Sequence, residues 1–181
     1  MTRFPSPRAA RLVAFTLALL AGAACAADRG TGVASSPIDG ALGQPLSHAL
    51  LQCAPAAAEQ TTSAIIGPLG GTLSIGATSV VIPRDAVLTP TSFRLTIPAS
   101  SYVEIAVRAG DAEHFVFAQP VLVTIDYGRC AAGLPAQQAL TAWHIDETSK
   151  ALLENMSGVD LRALHVITFY TGHLSGYAVA D

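Results

Sequence analysis

The sequence runs to 181 residues, 51% of them hydrophobic and 13% charged, with 10 basic and 13 acidic side chains and a formal charge of −3 at pH 7. Lys150 is its only lysine. A nucleic-acid or anionic-lipid surface needs clustered cations, so this balance argues against both and leaves no nucleic acid among the expected partners.

The first elements in chain order are a basic head with Arg3, Arg8 and Arg11, an uncharged apolar run over residues 12–24, and Cys25. Crossing a bilayer takes about 20 apolar residues, and this run is too short. Head, run and small-residue exit are the parts of a bacterial secretory leader, which predicts a signal peptide over residues 1–24. Gly22, Ala23 and Ala24 are small, as residues ahead of a lipid-modified cysteine are, although Gly22 stands where Leu is usual. The expected product is a lipoprotein of the cell envelope, anchored in the membrane by a lipid on Cys25. The alternative takes Ala24-Cys25-Ala26 as the cleavage site, cut before Ala27, and gives a soluble secreted chain. Removing the leader takes three basic residues and no acidic ones, leaving seven against 13 and a formal charge of −6.

Residues 25–63 are expected to hold the lipid-anchor cysteine and a flexible tether, because Gly30, Gly32, Pro37, Gly40, Gly43, Pro45 and Pro55 break any regular period. Within it the apolar patch at residues 48–51 reads either as one helical turn or as a strand that docks on the domain. Residues 64–181 form the expected domain. Phe93, Leu95 and Ile97 alternate with Arg94 and Thr96, and Val103, Ile105 and Val107 with Glu104, Ala106 and Arg108. Val121, Val123, Ile125 and Tyr127 repeat the pattern. These are half-buried strands. Further strands are expected at 72–75, 79–82, 140–145, 164–170 and 176–179, separated by turns at Gly70-Gly71, Gly76, Pro83, Pro90, Pro98, Gly110, Pro120, Gly128, Gly158 and Gly172. About nine short strands so spaced predict an all-β, antiparallel sandwich, with helix at most incidental at 135–140.

With Cys25 assigned to the lipid, Cys53 and Cys130 are the remaining thiols. An isolated pair in an exported chain, with no Cys-x-x-Cys spacing, predicts a disulfide rather than a metal or redox site, the alternative being two free buried thiols. Such a bridge would stabilise by about 4 kcal/mol in the chain-entropy picture and pin the tether near the end of the 121–127 strand.

Four segments carry a family resemblance: Ile66-Gly67-Pro68-Leu69-Gly70-Gly71-Thr72-Leu73, Val81-Ile82-Pro83-Arg84-Asp85-Ala86-Val87, Phe117-Ala118-Gln119-Pro120-Val121, and His173-Leu174-Ser175-Gly176-Tyr177-Ala178-Val179. In order and spacing they resemble the ZU5 domain across about 115 residues. The resemblance implies a β-sandwich in which Gly70-Gly71 makes a tight approach to the first strand, Pro83 ends an apolar strand and Pro120 starts another. Asp85-Ala86-Val87 departs from the Gly-Ala-Leu often found in the family. No UPA or death domain accompanies it in this sequence, so the signalling roles of eukaryotic relatives are not expected to transfer.

His173-Leu174-Ser175 is the chemically loaded piece. Some ZU5 proteins cut themselves in a His-Phe-Ser triplet, and adhesion-receptor autoproteolytic domains in a His-Leu-Ser/Thr triplet. The resemblance implies that His173 takes the Ser175 hydroxyl proton, the Ser175 oxygen attacks the Leu174 carbonyl, and an N-to-O shift gives an ester that water opens. The structural alternative has His173 and Ser175 satisfying backbone groups while Leu174 fills the core. Neither His144, Asp146 and Glu147 nor Asp111, Glu113 and His114 has a recognised metal-ligand spacing, and both sets read as solvated strand ends, so no metal and no cofactor are expected. Trp143 reads as a core anchor rather than a sugar platform. The function expected is a non-enzymatic envelope lipoprotein that binds an unknown protein or glycan partner or serves a structural part; the alternative is a self-processing domain cleaving between Leu174 and Ser175.

Overall fold

The computed structural model describes residues 48–110, 112 and 115–181. The expected leader, Cys25, the tether as far as residue 47, and Asp111, Glu113 and His114 lie outside the described residues. Among those described, eleven strands form: β1 (Gln60–Ile66), β2 (Gly71–Ile75), β3 (Thr78–Ile82), β4 (Thr91–Ile97), β5 (Glu104–Ala109), β6 (Val116–Asp126), β7 (Thr141–Ile145), β8 (Leu152–Asn155), β9 (Val159–Leu161), β10 (Val166–His173) and β11 (Gly176–Ala180). They make two sheets with every neighbouring pair antiparallel, ordered β1-β4-β5-β11-β7-β8 and β2-β3-β6-β10-β9. Packed together, the sheets are the expected β-sandwich.

The alternating pattern decides which side chains lie between the sheets. Phe93 and Leu95 of β4, Ile105 and Val107 of β5, Val121, Val123 and Ile125 of β6, Ile167 and Phe169 of β10, and Tyr177 and Val179 of β11 are all buried. Each contributes about 1.5–3 kcal/mol of transfer free energy. Phe93, Phe115 and Phe117 form an aromatic cluster with ring centroids 5.0 to 5.8 Å apart.

Three strands lie where no strand is expected from the sequence: β1, β8 and β9, each at the edge of its sheet. The expected tether boundary at Ser63 therefore falls inside β1, which pairs with β4 over its whole length. Upstream of it, Leu50 bridges to Ala180 and Gln52 to Tyr102. The amide of Leu51 donates to the Val179 carbonyl, and the Val103 amide to that of Leu51. Of the two readings left open for residues 48–51, the docked extended segment is the one observed. These short backbone pairings need little apolar sequence, which is why the segment resembles a tether.

Pro120 sits inside β6 rather than at its start. The lost donor is tolerated because β3 pairs only with the stretch from Leu122 to Thr124, and a bulge between Thr171 and His173 interrupts the β10 ladder opposite Pro120. No helix forms at 135–140; the amide of Gln138 closes a single turn on the Pro135 carbonyl, and a 3-10 turn instead occupies Gly128–Gly133. Gly70 has φ +75°, and a Cβ there would stand 2.5 Å from the Ile82 carbonyl oxygen, so the tight approach to β2 requires glycine.

Cys53 and Cys130 are joined as a disulfide with Cα atoms 5.2 Å apart. It links the segment bridged to Tyr102 with the turn that follows β6. Beside it, the Arg129 guanidinium donates to the carbonyls of Ala54 (2.6 Å), Ser100 (3.0 Å) and Tyr102.

Candidate functional site

An open cleft of about 640 Å3 lies at the β7–β8 side of the sandwich, lined in part by His144, Asp146, Glu147, His173 and Ser175. Register explains how two distant histidines reach it. His144 stands beside Tyr177 in the β7·β11 ladder, and Tyr177 is fully buried between the sheets, so His144 also points inward. Glu154 of β8 faces His144 across the outermost ladder of that sheet. His173 arrives from the other sheet, past the bulge in β10.

The rings of His144 and His173 stand 5.2 Å apart, tilted by 60°. His173 Nε2 is 3.7 Å from Glu154 Oε2. One nitrogen from each histidine and one Glu154 oxygen lie within 4.8 Å of one another. Behind His173, the Tyr177 hydroxyl donates to the His173 carbonyl at 2.5 Å, with Thr171 Oγ1 at 3.0 Å and His173 Nδ1 at 3.4 Å. Burial pushes the Tyr177 phenol up to about 12, against the lowering effect of Thr171. Burial, and after it the neighbouring His173, hold His144 below its ordinary value, while Glu154 pulls the other way.

His173 and Ser175 line the same cleft, and Leu174 between them is buried. The His173 ring is aimed at Tyr177 and Glu154, and among the described residues no hydrogen bond joins it to the Ser175 hydroxyl. The Leu174 amide donates to the Phe115 carbonyl at 3.0 Å, and the Ser175 carbonyl accepts from Val107 at 3.1 Å.

The residues that share a short stretch with His144 do other work. One Asp146 oxygen accepts from the Thr148 and Ser149 amides and the Ser149 hydroxyl at 2.6 to 3.0 Å, and Ser149 chiefly holds this exposed carboxyl below its usual range. That oxygen organises the β7–β8 turn. Glu147 pairs with Arg108 at 2.7 Å and lies over Gly176, where a Cβ would meet its Cγ at 2.4 Å. Lys150, with φ 61°, closes the turn and reaches buried Glu104 at 2.5 Å, leaving Glu104 Oε1 without a partner. Trp143 is half-buried rather than in the core: it shares a face with Ala178 and Thr141, donates to the Thr141 hydroxyl and packs against His48.

Glu154, and the meeting of His144 with His173, escape a reading by sequence spacing. Alternation offers no signal, because apolar Trp143 and Ile145 flank His144 and would be read as the inward pair; only the register with Tyr177 turns His144 inward. Among known proteins, no protein-family model and no curated protein matches this chain.

Proposed function

We propose that this protein is an exported, non-enzymatic module of the cell envelope, anchored by a lipid on Cys25, that presents a ZU5-like β-sandwich to a protein or glycan partner. The observation that carries the reading is the outer face of the five-stranded sheet. Val81, Leu122 and Tyr170 form one cross-strand row there, and Ser79, Thr124, Thr168 and Val159 the next. Neither row holds a charge, and Tyr170 and Val159 are 67% and 60% exposed. Aliphatic and hydroxyl side chains around an exposed tyrosine suit docking against protein or sugar. Export is supported by the Cys53–Cys130 bridge, since disulfides persist in oxidising compartments. The ZU5 resemblance is supported by Asp85, whose φ of 61° falls where the family often has glycine and where aspartate is tolerated. In this reading His173-Leu174-Ser175 links β10 to β11, with Leu174 as core.

A photo-crosslinking side chain placed at position 170 in cells should trap a partner, whereas one at exposed Leu88, outside both rows, should not; equal trapping at both sites overturns the docking face. Intact mass tests the rest: acylated Cys25 is the expected mature N-terminus, and an unmodified start at Ala27 removes the anchor. In the same spectrum, a fragment ending at Leu174 that disappears in Ser175→Ala would replace this reading with self-cleavage.

A further inference from the structure

We infer that His144, Glu154 and His173 bind one divalent ion of the zinc type, which ties the two sheets together at the β8 edge. The inference is independent of the docking role proposed above.

The three donors come from three strands, two in one sheet and one in the other, and their ligand atoms already lie within 4.8 Å of one another. Bonds of about 2.0–2.2 Å to a tetrahedral zinc ion leave ligand atoms roughly 3.3 Å apart. The 3.7 Å between His173 Nε2 and Glu154 Oε2 is a few tenths of an ångström longer, and exposed Glu154 is free to move by that much. The same 3.7 Å is too long for a hydrogen bond, so a direct proton bridge does not account for the pairing. Two imidazoles and a carboxylate are the donor set of three-ligand zinc sites that keep a fourth position for water. Nitrogen donors disfavour calcium and magnesium.

Tyr177 supplies the orientation. Its proton goes to the His173 carbonyl, so its oxygen is left to accept from His173 Nδ1, 3.4 Å away. That tautomer puts the lone pair on Nε2, the nitrogen that faces Glu154. Two acceptors then oppose each other across a gap that a cation fills. Because His144 and His173 both line the cleft, the fourth position opens onto it.

The test uses the whole exported chain, stripped of metal and titrated with Zn2+ against a chromophoric chelator, and with Co2+ followed by visible absorption. The expected result is one ion per chain and the intense Co2+ bands of tetrahedral coordination. Glu154→Gln, His144→Ala and His173→Ala should each weaken Zn2+ binding by more than the roughly 10–100-fold that losing a partner behind a ligand costs, and Tyr177→Phe by an amount within that range. His165→Ala, at an exposed position outside the cluster, should leave it unchanged. Zn2+ should raise the melting temperature of the wild type and not that of Glu154→Gln. Exposed Glu154 decides the matter even if a histidine variant fails to fold. No Zn2+ bound by the wild type, or an unchanged affinity in Glu154→Gln, overturns the site.

Discussion

The two sheets are tied at opposite ends of the β6·β10 pair, by different chemistry. Where Val166 faces Asp126, the Cys53–Cys130 disulfide and the Arg129 guanidinium hold the chain around the turn after β6. Where His173 faces Val116, the seam consists of Tyr177, Thr171, His173, His144 and Glu154, with no covalent link. The first tie is closed once oxidised and answers to nothing in solution but reductant. The second leaves imidazole and carboxylate atoms facing one another beside an open cleft. A sandwich locked at one end can keep a polar seam at the other without losing its closure, and that is where this molecule has room for chemistry.

The covalent side offers the largest test of that contrast. Replacing Cys53 and Cys130 together by alanine should lower the unfolding free energy by about 4 kcal/mol for a separation of 77 residues, read as a fall in the urea midpoint. A loss below about 1 kcal/mol would mean that the Arg129 bonds carry that end. Next comes the buried carboxylate behind the polar side: Lys150→Met should cost about 3 kcal/mol by leaving Glu104 unpaired, and adding Glu104→Leu should recover much of it.

A smaller effect, about 1 kcal/mol, is expected for Tyr127→Phe, which removes the 2.5 Å bond from the phenol to Asp160. Burial first, and that bond second, push the Tyr127 phenol from 10.0 up to about 12. The folded state holds this proton more tightly than the unfolded one, so the associated stability is complete below pH 10 and lost as the pH climbs towards 12. Alkaline unfolding curves should be flatter over that window in Tyr127→Phe. Least of all, Tyr170→Ser on the outer sheet face should change the melting free energy by less than about 0.5 kcal/mol, while the proposed partner is lost.

The alternation of apolar residues makes β4, β5 and the second half of β6 legible in the sequence, because each lays a buried row against the opposite sheet. It is silent on β1, where Ile66 is the one buried residue, and on β8 and β9, which are four and three residues long with none buried. Edge strands are held by one ladder and need no apolar code. The same blindness hides the candidate metal site. Glu154 lies on unread β8, and His144 and His173 meet only because β11 sets β7 beside the β10 end of the opposing sheet. The disulfide was legible for a different reason: chemistry, rather than periodicity, left two thiols to find each other.

Lys150 is the only lysine in the sequence, and its ammonium stands 2.5 Å from Glu104. Amine-directed reagents therefore have one side-chain target per molecule, and that target is engaged as long as the β7–β8 turn holds. Labelling should be slow on the folded protein and reach a single side-chain tag when the turn opens, told apart from a tag on the α-amine by its position in the peptide map. One residue thus makes the tagged fraction a count of the molecules whose β7–β8 turn has opened, readable by mass.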